Sequence, residues 1–472
     1  MWVVDWIRKL FGGKLNRKTT PTGTIEKEFG VYPAVSRKMD ENINLWYALY
    51  TNNPPWETCD VRPLGIPAAI GRELARYALM EFSVTVSGDD RANFLNQQIE
   101  LVANDFPKIL EWGLCLGGVS LKPYPDDKGR LLVDVSTTGF TPTKFDGTGK
   151  VIGGVFKSQP LRRGENWFVR MEYHDFQTRV DGSTVYVIEN KAFSSDQSGS
   201  IGGPVELHSV EEWANLSERE EIDGIDRPLF AYFKPPAANN IEPESQLGIS
   251  VYAGATVDLI HQADEQWHLI QWEYKSGKRK IYADGVDAEQ FNDDIFVVGP
   301  FTNDGSFFEV FSPEFRDDPL YNGYQNILKQ IEFNVGLSYG TISDQQTVER
   351  TATEILATKH RQRVTEGAIQ KAFQSTLDDL LYAMDVWCGF AELAPSGTYK
   401  AEYNWGDGVL DDPDTRRQDM AMDVSLVREG LMSRLDFIMK WNKVDEATAK
   451  KIIAQIDAET EEDVEPPMED SE

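Results

Sequence analysis

The stretch from about residue 351 to 388 constrains this chain more than any other. Ile369, Phe373, Leu377, Leu380, Leu381, Met384 and Trp387 recur at helical spacing and predict one clean apolar face. The pattern starts earlier, through Lys359, His360, Arg361, Arg363 and Glu366, but there the apolar face is missing. Thr351 and Glu354 supply a T-x-x-E capping box, in which each side chain can bond the other's backbone N–H. At 1.5 Å per residue such a helix runs on the order of 55 Å, long for a globular domain. One end should pack inside the protein while the other projects into solvent or a cavity. Just before it, TISDQQTVER (341–350) is polar where its neighbours are apolar and helical, so it reads as a gap between two helices.

At 472 residues the chain exceeds what one core supports, and two to four domains or segments are expected. Apolar content of 41% with 11% aromatics argues for a folded chain. Cys59, Cys115 and Cys388 are odd in number and form no CxxC pair, which fits buried thiols in a reducing compartment rather than disulfides or zinc. No run approaches the roughly 18 apolar residues of a membrane span. In MWVVDWIRKLFGGK the apolar part precedes the charges, the wrong order for a signal peptide, and Trp2, Val3, Trp6, Ile7 and Leu10 form an amphipathic stripe suited to docking. The net charge of −30 excludes non-specific condensation on nucleic acid. Residues 457–472 hold nine carboxylates and no base, so they are expected to be an acidic, disordered tail.

Residues 41–118 carry three- and four-residue apolar spacing and are expected to be mostly helical. From 119 to 235 the period becomes two. KGRLLVDVS, FDGTGKVIGGVFKS, WFVRMEYHDF, TRVDGSTVYVIENKAF and FAYFKP predict antiparallel strands joined by tight glycine turns. A helical block (248–276), a β-like module (277–317) and a second helix (318–340) follow, then the polar gap (341–351) and the long helix (352–389). Residues 390–412 read as a strand and loop, and 413–456 as two or three helices. The fold class is α+β.

A search for chemistry returns almost nothing. The five histidines show no HExxH or other ligand spacing, and no GxSxG is present. GTGKVIGG (147–154) matches neither GxGxxG nor GxxxxGK[ST], and Asp146-Gly147 between strand-like runs predicts a hairpin turn instead. Acidic pairs are too frequent here to mean anything. No catalytic, cofactor or metal residue is assigned.

The order of segments resembles the portal (head–tail connector) proteins of tailed bacteriophages, in the branch common among siphophages of Gram-positive hosts. The resemblance rests on GISVYAGATVDLIHQADEQWHLIQWEYKSGKRKIY (248–282), TVERTATEI (347–355) and DGVLDDPDTRRQDMAMDVSLVREGLMS (407–433). It covers most of the chain, with residues 1–40 and the acidic tail matching loosely. It implies a portal fold: an N-terminal arm and α/β wing (1–247), two stem helices (248–276, 318–340) bracketing a β-rich clip, a tunnel loop, a long kinked helix from channel to wing, and a helical crown (413–456).

The resemblance further implies a self-assembled dodecameric ring at one capsid vertex of the virion, built in the host cytoplasm. Its partners would be viral double-stranded DNA, the terminase large subunit, a head-completion or adaptor protein, and the major capsid and scaffolding proteins. Neither a membrane nor a cofactor is implied, nor any ATP hydrolysis by the chain itself. In the tunnel loop, Thr341, Ser343, Asp344, Gln345, Gln346, Thr347, Glu349 and Arg350 would face DNA, whose backbone short polar groups can touch without reading sequence. Lys359, Arg361 and Arg363 would offer limited attraction near the constriction or pair between subunits. Lys278, Arg279, Lys280, Asp304, Phe307 and Phe308 of the clip would meet partners. Two other readings stay open: another ring-forming head–tail or tail-hub protein, and a phage-associated glycosidase suggested by the aromatics and carboxylates.

Overall fold

The structure is a computed structural model. It describes residues 19–58, 61–277, 280–283, 296–298, 308–311, 314, 316–344, 352–406, 413–442, 444 and 446–462; the side chains of 280–283, 296–298, 308, 309, 311, 352–360, 413–419, 447 and 457–462 are not among what it describes. The chain is mixed α+β and divides into two compact units, Met1–Trp405 and Gly406–Glu472. The N-terminal stripe of Trp2 to Leu10 and Cys59 lie outside the described residues.

Helices α1 (Thr22–Phe29), α2 (Arg37–Tyr50) and α3 (Ile66–Ala78) precede strand β1 (Ser83–Gly88), and α4 (Asp90–Ala103) and α5 (Phe106–Leu116) follow it. The helical expectation for 41–118 is thus corrected at β1, where SVTVSG alternates and buries Val86. The 89–118 pattern is also two helices, because Pro107 sits in the first turn of α5 and the chain re-enters there.

Strands β2 (Val119–Pro125), β3 (Leu131–Ser136), β4 (Phe140–Phe145), β5 (Val151–Lys157), β6 (Leu161–Arg163), β7 (Asn166–Thr178), β8 (Thr184–Ser195), β9 (Gly203–Val205), β10 (Arg219–Ile222) and β11 (Ala231–Phe233) fill the period-two region. They form a small antiparallel sheet β11-β2-β3 and a larger one running β10-β8-β7-β5-β4, with β6 on β7 and β9 on β8. The Asp146-Gly147 turn is the predicted hairpin. The Asp146 carboxylate accepts from Thr148 N and Lys150 N at 2.8 and 2.9 Å, and β4 pairs with β5.

The two sheets are joined by a buried ionic knot. Lys122 of β2 reaches Glu172 of β7 at 2.7 Å, and the same carboxylate takes Arg170 at 2.7 Å and His174 Nε2 at 2.6 Å. His174 Nδ1 lies 2.8 Å from the Tyr186 hydroxyl, which accepts from Leu229 N at 3.0 Å. Burial drives the His174 pKa down and favours the neutral ring, whose Nε2–H then donates to Glu172 while Nδ1 accepts from the Tyr186 hydroxyl. Burial alone would push the Glu172 carboxyl up, but Lys122, His174 and Arg170 outweigh it and hold the group well below the usual carboxylate range.

Helix α6 (Ala255–Ser276) starts at Ala255, seven residues later than the boundary read from sequence, because Gly254 (φ +71°) turns the chain there while Ile249, Tyr252 and Ala253 enter the core as non-helical backbone. Strands β12 (Lys280–Ala283), β13 (Phe296–Val298) and β14 (Phe308–Phe311) form one sheet, with β12 parallel to β13 and antiparallel to β14. Helix α7 (Asp317–Val335) then returns along α6. Glu273 pairs with Arg316 at 2.8 Å, Gln266 Nε2 donates to Leu320 O at 2.9 Å, and the rings of Trp267 and Tyr324 lie 5.4 Å apart, so the two helices are antiparallel.

The base of α6 is fixed by a carboxylate that has no cation beside it among the described residues. Asp264, fully buried, accepts from Trp56 Nε1 at 2.9 Å and Leu64 N at 3.0 Å. Burial pushes it up to about 6 despite those two hydrogen bonds. The folded state therefore holds this proton more tightly than the unfolded chain, whose aspartates titrate near ~3.9. The contribution is present below pH ~4 and is lost as pH rises through 6, a swing of up to ~3 kcal/mol for two units. Asp264→Asn should abolish that component. Urea unfolding at pH 4 and pH 7 should show the gap between wild type and variant changing by about that amount; an unchanged gap refutes the assignment.

Helix α8 (Ala352–Phe390) runs for 39 residues, and strand β15 (Tyr399–Asn404) closes the first unit by pairing antiparallel with β1. The predicted face of α8 is the core: Ile369, Phe373, Leu377, Leu380, Leu381 and Met384 are at most 1% exposed, while Trp387, the last of that face, is half-buried at its edge. They pack in one cluster with Leu74, Phe106, Leu114, Leu121 and Phe233.

The second unit contains α9 (Pro413–Arg428), α10 (Arg434–Asn442) and α11 (Glu446–Glu462). Asp423 accepts from Lys440 at 2.6 Å and Trp441 Nε1 at 2.9 Å, which ties α9 to α10. Helix α11 continues to Glu462, which corrects the reading of disorder from 457. A repeating polar helix pattern carries on through the first acidic residues of that tail.

Candidate functional site

The turn between α7 and α8 is built on one carboxylate. Glu332 lies on the inward face of α7 among Leu328, Ile331 and Val335, with 0% exposure. Gly336 (φ +81°) ends the helix in the left-handed region, where a side chain would be strained and its Cβ would meet Thr365 Oγ1 at 2.4 Å. The chain then folds back over Glu332. One carboxylate oxygen accepts from Ile342 N at 2.7 Å and Ser343 N at 2.9 Å. The other accepts from Ser343 Oγ at 2.8 Å and Gly340 N at 3.2 Å. Four donors around one buried carboxylate make a closed cradle.

Two amides complete it. Gln325 Oε1 accepts from Asp344 N at 2.7 Å, and Gln362 Oε1 of α8 accepts from Ser338 N at 3.3 Å. Gln362 Nε2 donates to Glu366 at 2.7 Å, which turns that second carboxylate inward. Arg361 donates to the carbonyl of Phe333 and sits over its ring at 3.8 Å, a cation at the negative C-terminal end of α7.

Several residues expected to face a channel are therefore placed differently. Ser343 is buried on Glu332 and is not available to a ligand. Thr341 is half-buried and donates to Ser338 O at 2.7 Å. Asp344 is exposed and accepts from the Tyr321 hydroxyl. Arg361 is exposed but committed to Phe333, and Arg363 is exposed. Gln345, Gln346, Thr347, Glu349, Arg350 and the capping residue Thr351 lie outside the described residues. Glu354 and Lys359 fall in the first turns of α8, with their side chains outside the described part. In the β module, Lys278, Arg279, Asp304 and Phe307 lie outside it too, while Lys280 and Phe308 open strands β12 and β14.

Sequence reasoning missed Glu332. The signal was an acid at a core position of an apolar stripe, followed four residues later by glycine. A cavity of about 40 Å³ lies between Thr20, Asp40, Gly117, Thr137 and Tyr232, and Thr20 Oγ1 is buried without a partner. It has room for a water or two, not for an organic substrate. Among the described residues no group of three or more His, Cys, Asp or Glu could hold a metal ion, and no helix is long and apolar enough to cross a membrane.

Compared with known proteins, the chain matches no family model, and no curated protein matches it.

Proposed function

We propose that this chain is the portal subunit of a tailed bacteriophage, a structural part of the head–tail junction rather than a catalyst. It assembles into a ring through which double-stranded DNA is packaged and later leaves, and on which terminase and head-completion proteins dock. The observation that carries this reading is the order and packing of α6, the β12–β14 module, α7 and α8. An antiparallel helix pair brackets a small sheet, a carboxylate-fixed turn follows, and a helix of 39 residues ends in the core of the unit. In the proposed ring the helix pair is the stem, the small sheet the clip, the turn the root of the tunnel loop, and α9–α11 the crown.

The strong negative charge suits such a conduit. Each phosphate–lysine pair would add salt-sensitive affinity and retard a sliding duplex, whereas an acidic chain offers few of them. Purified full-length protein is expected to show closed annuli of one diameter by negative-stain microscopy. A purely monomeric sedimentation profile at micromolar protein, without and with capsid and scaffolding proteins, overturns the proposal.

A further inference from the structure

The cavity of about 40 Å³ is lined by side-chain oxygen to an unusual degree. Thr20, Thr137, Thr138, Thr141 and Tyr232 supply hydroxyls, and Asp40 a carboxylate. No lysine, arginine or histidine is among the described residues that line it. Segments far apart in the chain meet there: the entry to α1, the first turns of α2, the turn from α5 into β2 and the loop before β4.

Its hydroxyls are not spent on the protein. Thr20 is 1% exposed, and its Oγ1 has no hydrogen-bond partner. A buried hydroxyl in that state is costly unless something in the cavity bonds it. Burial alone pushes the Tyr232 phenol up, with no charged or hydrogen-bonding neighbour adding to the shift. Asp40, 8% exposed, accepts from the Thr19 hydroxyl and sets the sign of the site. Two helix ends also border it, the C-terminal end of α5 at Gly117 and the N-terminal end of α1 at Thr22. They carry about half a charge each, of opposite sign, and offset one another.

We infer that this cavity binds a monovalent cation of potassium size, held by the Asp40 carboxylate and by hydroxyls that include Thr20. The ligand class follows from the donors. All are hard oxygens, which disfavours metals that prefer sulfur or imidazole. One carboxylate balances one charge, whereas calcium sites recruit several, and magnesium keeps waters for which this cavity has no room. A weakly hydrated ion can exchange its water shell for neutral protein oxygens, as potassium does in a ring of carbonyls. The bound ion satisfies the Thr20 hydroxyl and ties together four segments that share no secondary-structure element. The site stands independently of the portal reading.

The test follows amide exchange in the full-length protein while potassium chloride replaces choline chloride at a constant total of about 0.3 M, which keeps screening fixed. Exchange across Gly117–Val119 and Thr137–Thr141 is expected to slow about fivefold or more and to saturate, while Ile342 and Ser343 in the Glu332 cradle stay unchanged. Asp40→Asn should abolish the response. Because that variant also disturbs the bond from Thr19, Thr20→Val serves as the second. It keeps the shape, removes the oxygen and should raise the half-saturating potassium concentration about tenfold, with Thr20→Ser restoring it. Equal exchange in potassium and choline overturns the inference and makes the cavity a water site. A full wild-type response in Thr20→Val also overturns it, since the ion then sits elsewhere. Slowing by millimolar calcium but not by potassium overturns the monovalent assignment.

Discussion

Glu172→Gln should destabilise the first unit by about 3–5 kcal/mol, the cost of leaving buried cations without their anion. Lys122 and Arg170 both converge on this carboxylate at 2.7 Å, and His174 donates to it. Glutamine keeps one acceptor but removes the charge, so Lys122 loses its counter-ion beside the Phe156 ring, 4.6 Å from its ammonium. The double variant Lys122→Met, Glu172→Leu replaces the pair by packed apolar volume and should recover most of the loss. Urea unfolding followed by tryptophan fluorescence separates the two cases. If the single variant matches wild type, the knot is not holding the sheets together.

The same knot sets an acid limit. Burial, with Lys122 and Arg170, drives the His174 pKa down against the pull of Glu172. The unfolded chain then binds this proton more tightly than the folded one, and stability falls as pH drops below the ordinary histidine range. Glu172 adds to the loss at lower pH, where its depressed carboxyl finally protonates. Asp264 works in the opposite direction over pH 6 to 4, because its raised carboxyl gains from protonation on folding.

The legible parts of this chain are those where period and contact are local. The face from Ile369 to Met384 could be read because every third or fourth residue repeats the same demand, and the core meets it. The Asp146 and Arg179–Ser183 hairpins could be read because turn residues and alternation sit side by side. Strand β1 could not, since SVTVSG finds its partner in YKAEYN some three hundred residues later. The knot was equally hidden: Lys122, Glu172 and His174 read separately as one charge among many, and only the approach of two sheets makes them a unit. In the candidate site, polarity was misread as exposure. Ser343 is polar because it must satisfy a buried carboxylate, not because it meets water or DNA.

That misreading can be tested at Glu332. Glu332→Ala should leave Ile342 N, Ser343 N and Ser343 Oγ without that acceptor, while Gly340 N keeps only Ser343 Oγ at 3.1 Å, and charge-assisted bonds of this kind are worth roughly 1.5–3 kcal/mol each. Backbone fraying lets water replace part of that, so the expected loss is about 3–5 kcal/mol and is felt first between Gly336 and Asp344. Amide exchange at Ile342 and Ser343 should accelerate at least a hundredfold, about 2.7 kcal/mol of local opening. Glu332→Gln should be milder. Its remaining oxygen still serves Ile342 and Ser343 N–H, Ser343 Oγ can rotate to accept from the new amide, and Gly340 N still reaches Ser343 Oγ at 3.1 Å. A graded response, Ala far above Gln, identifies the carboxylate as the anchor of the turn. Equal exchange in all three proteins would mean that Gly336 and Gln325 hold it without Glu332. The portal reading adds a consequence: annuli should still form in the Gln variant, because the cradle lies within one subunit and sets where the loop begins.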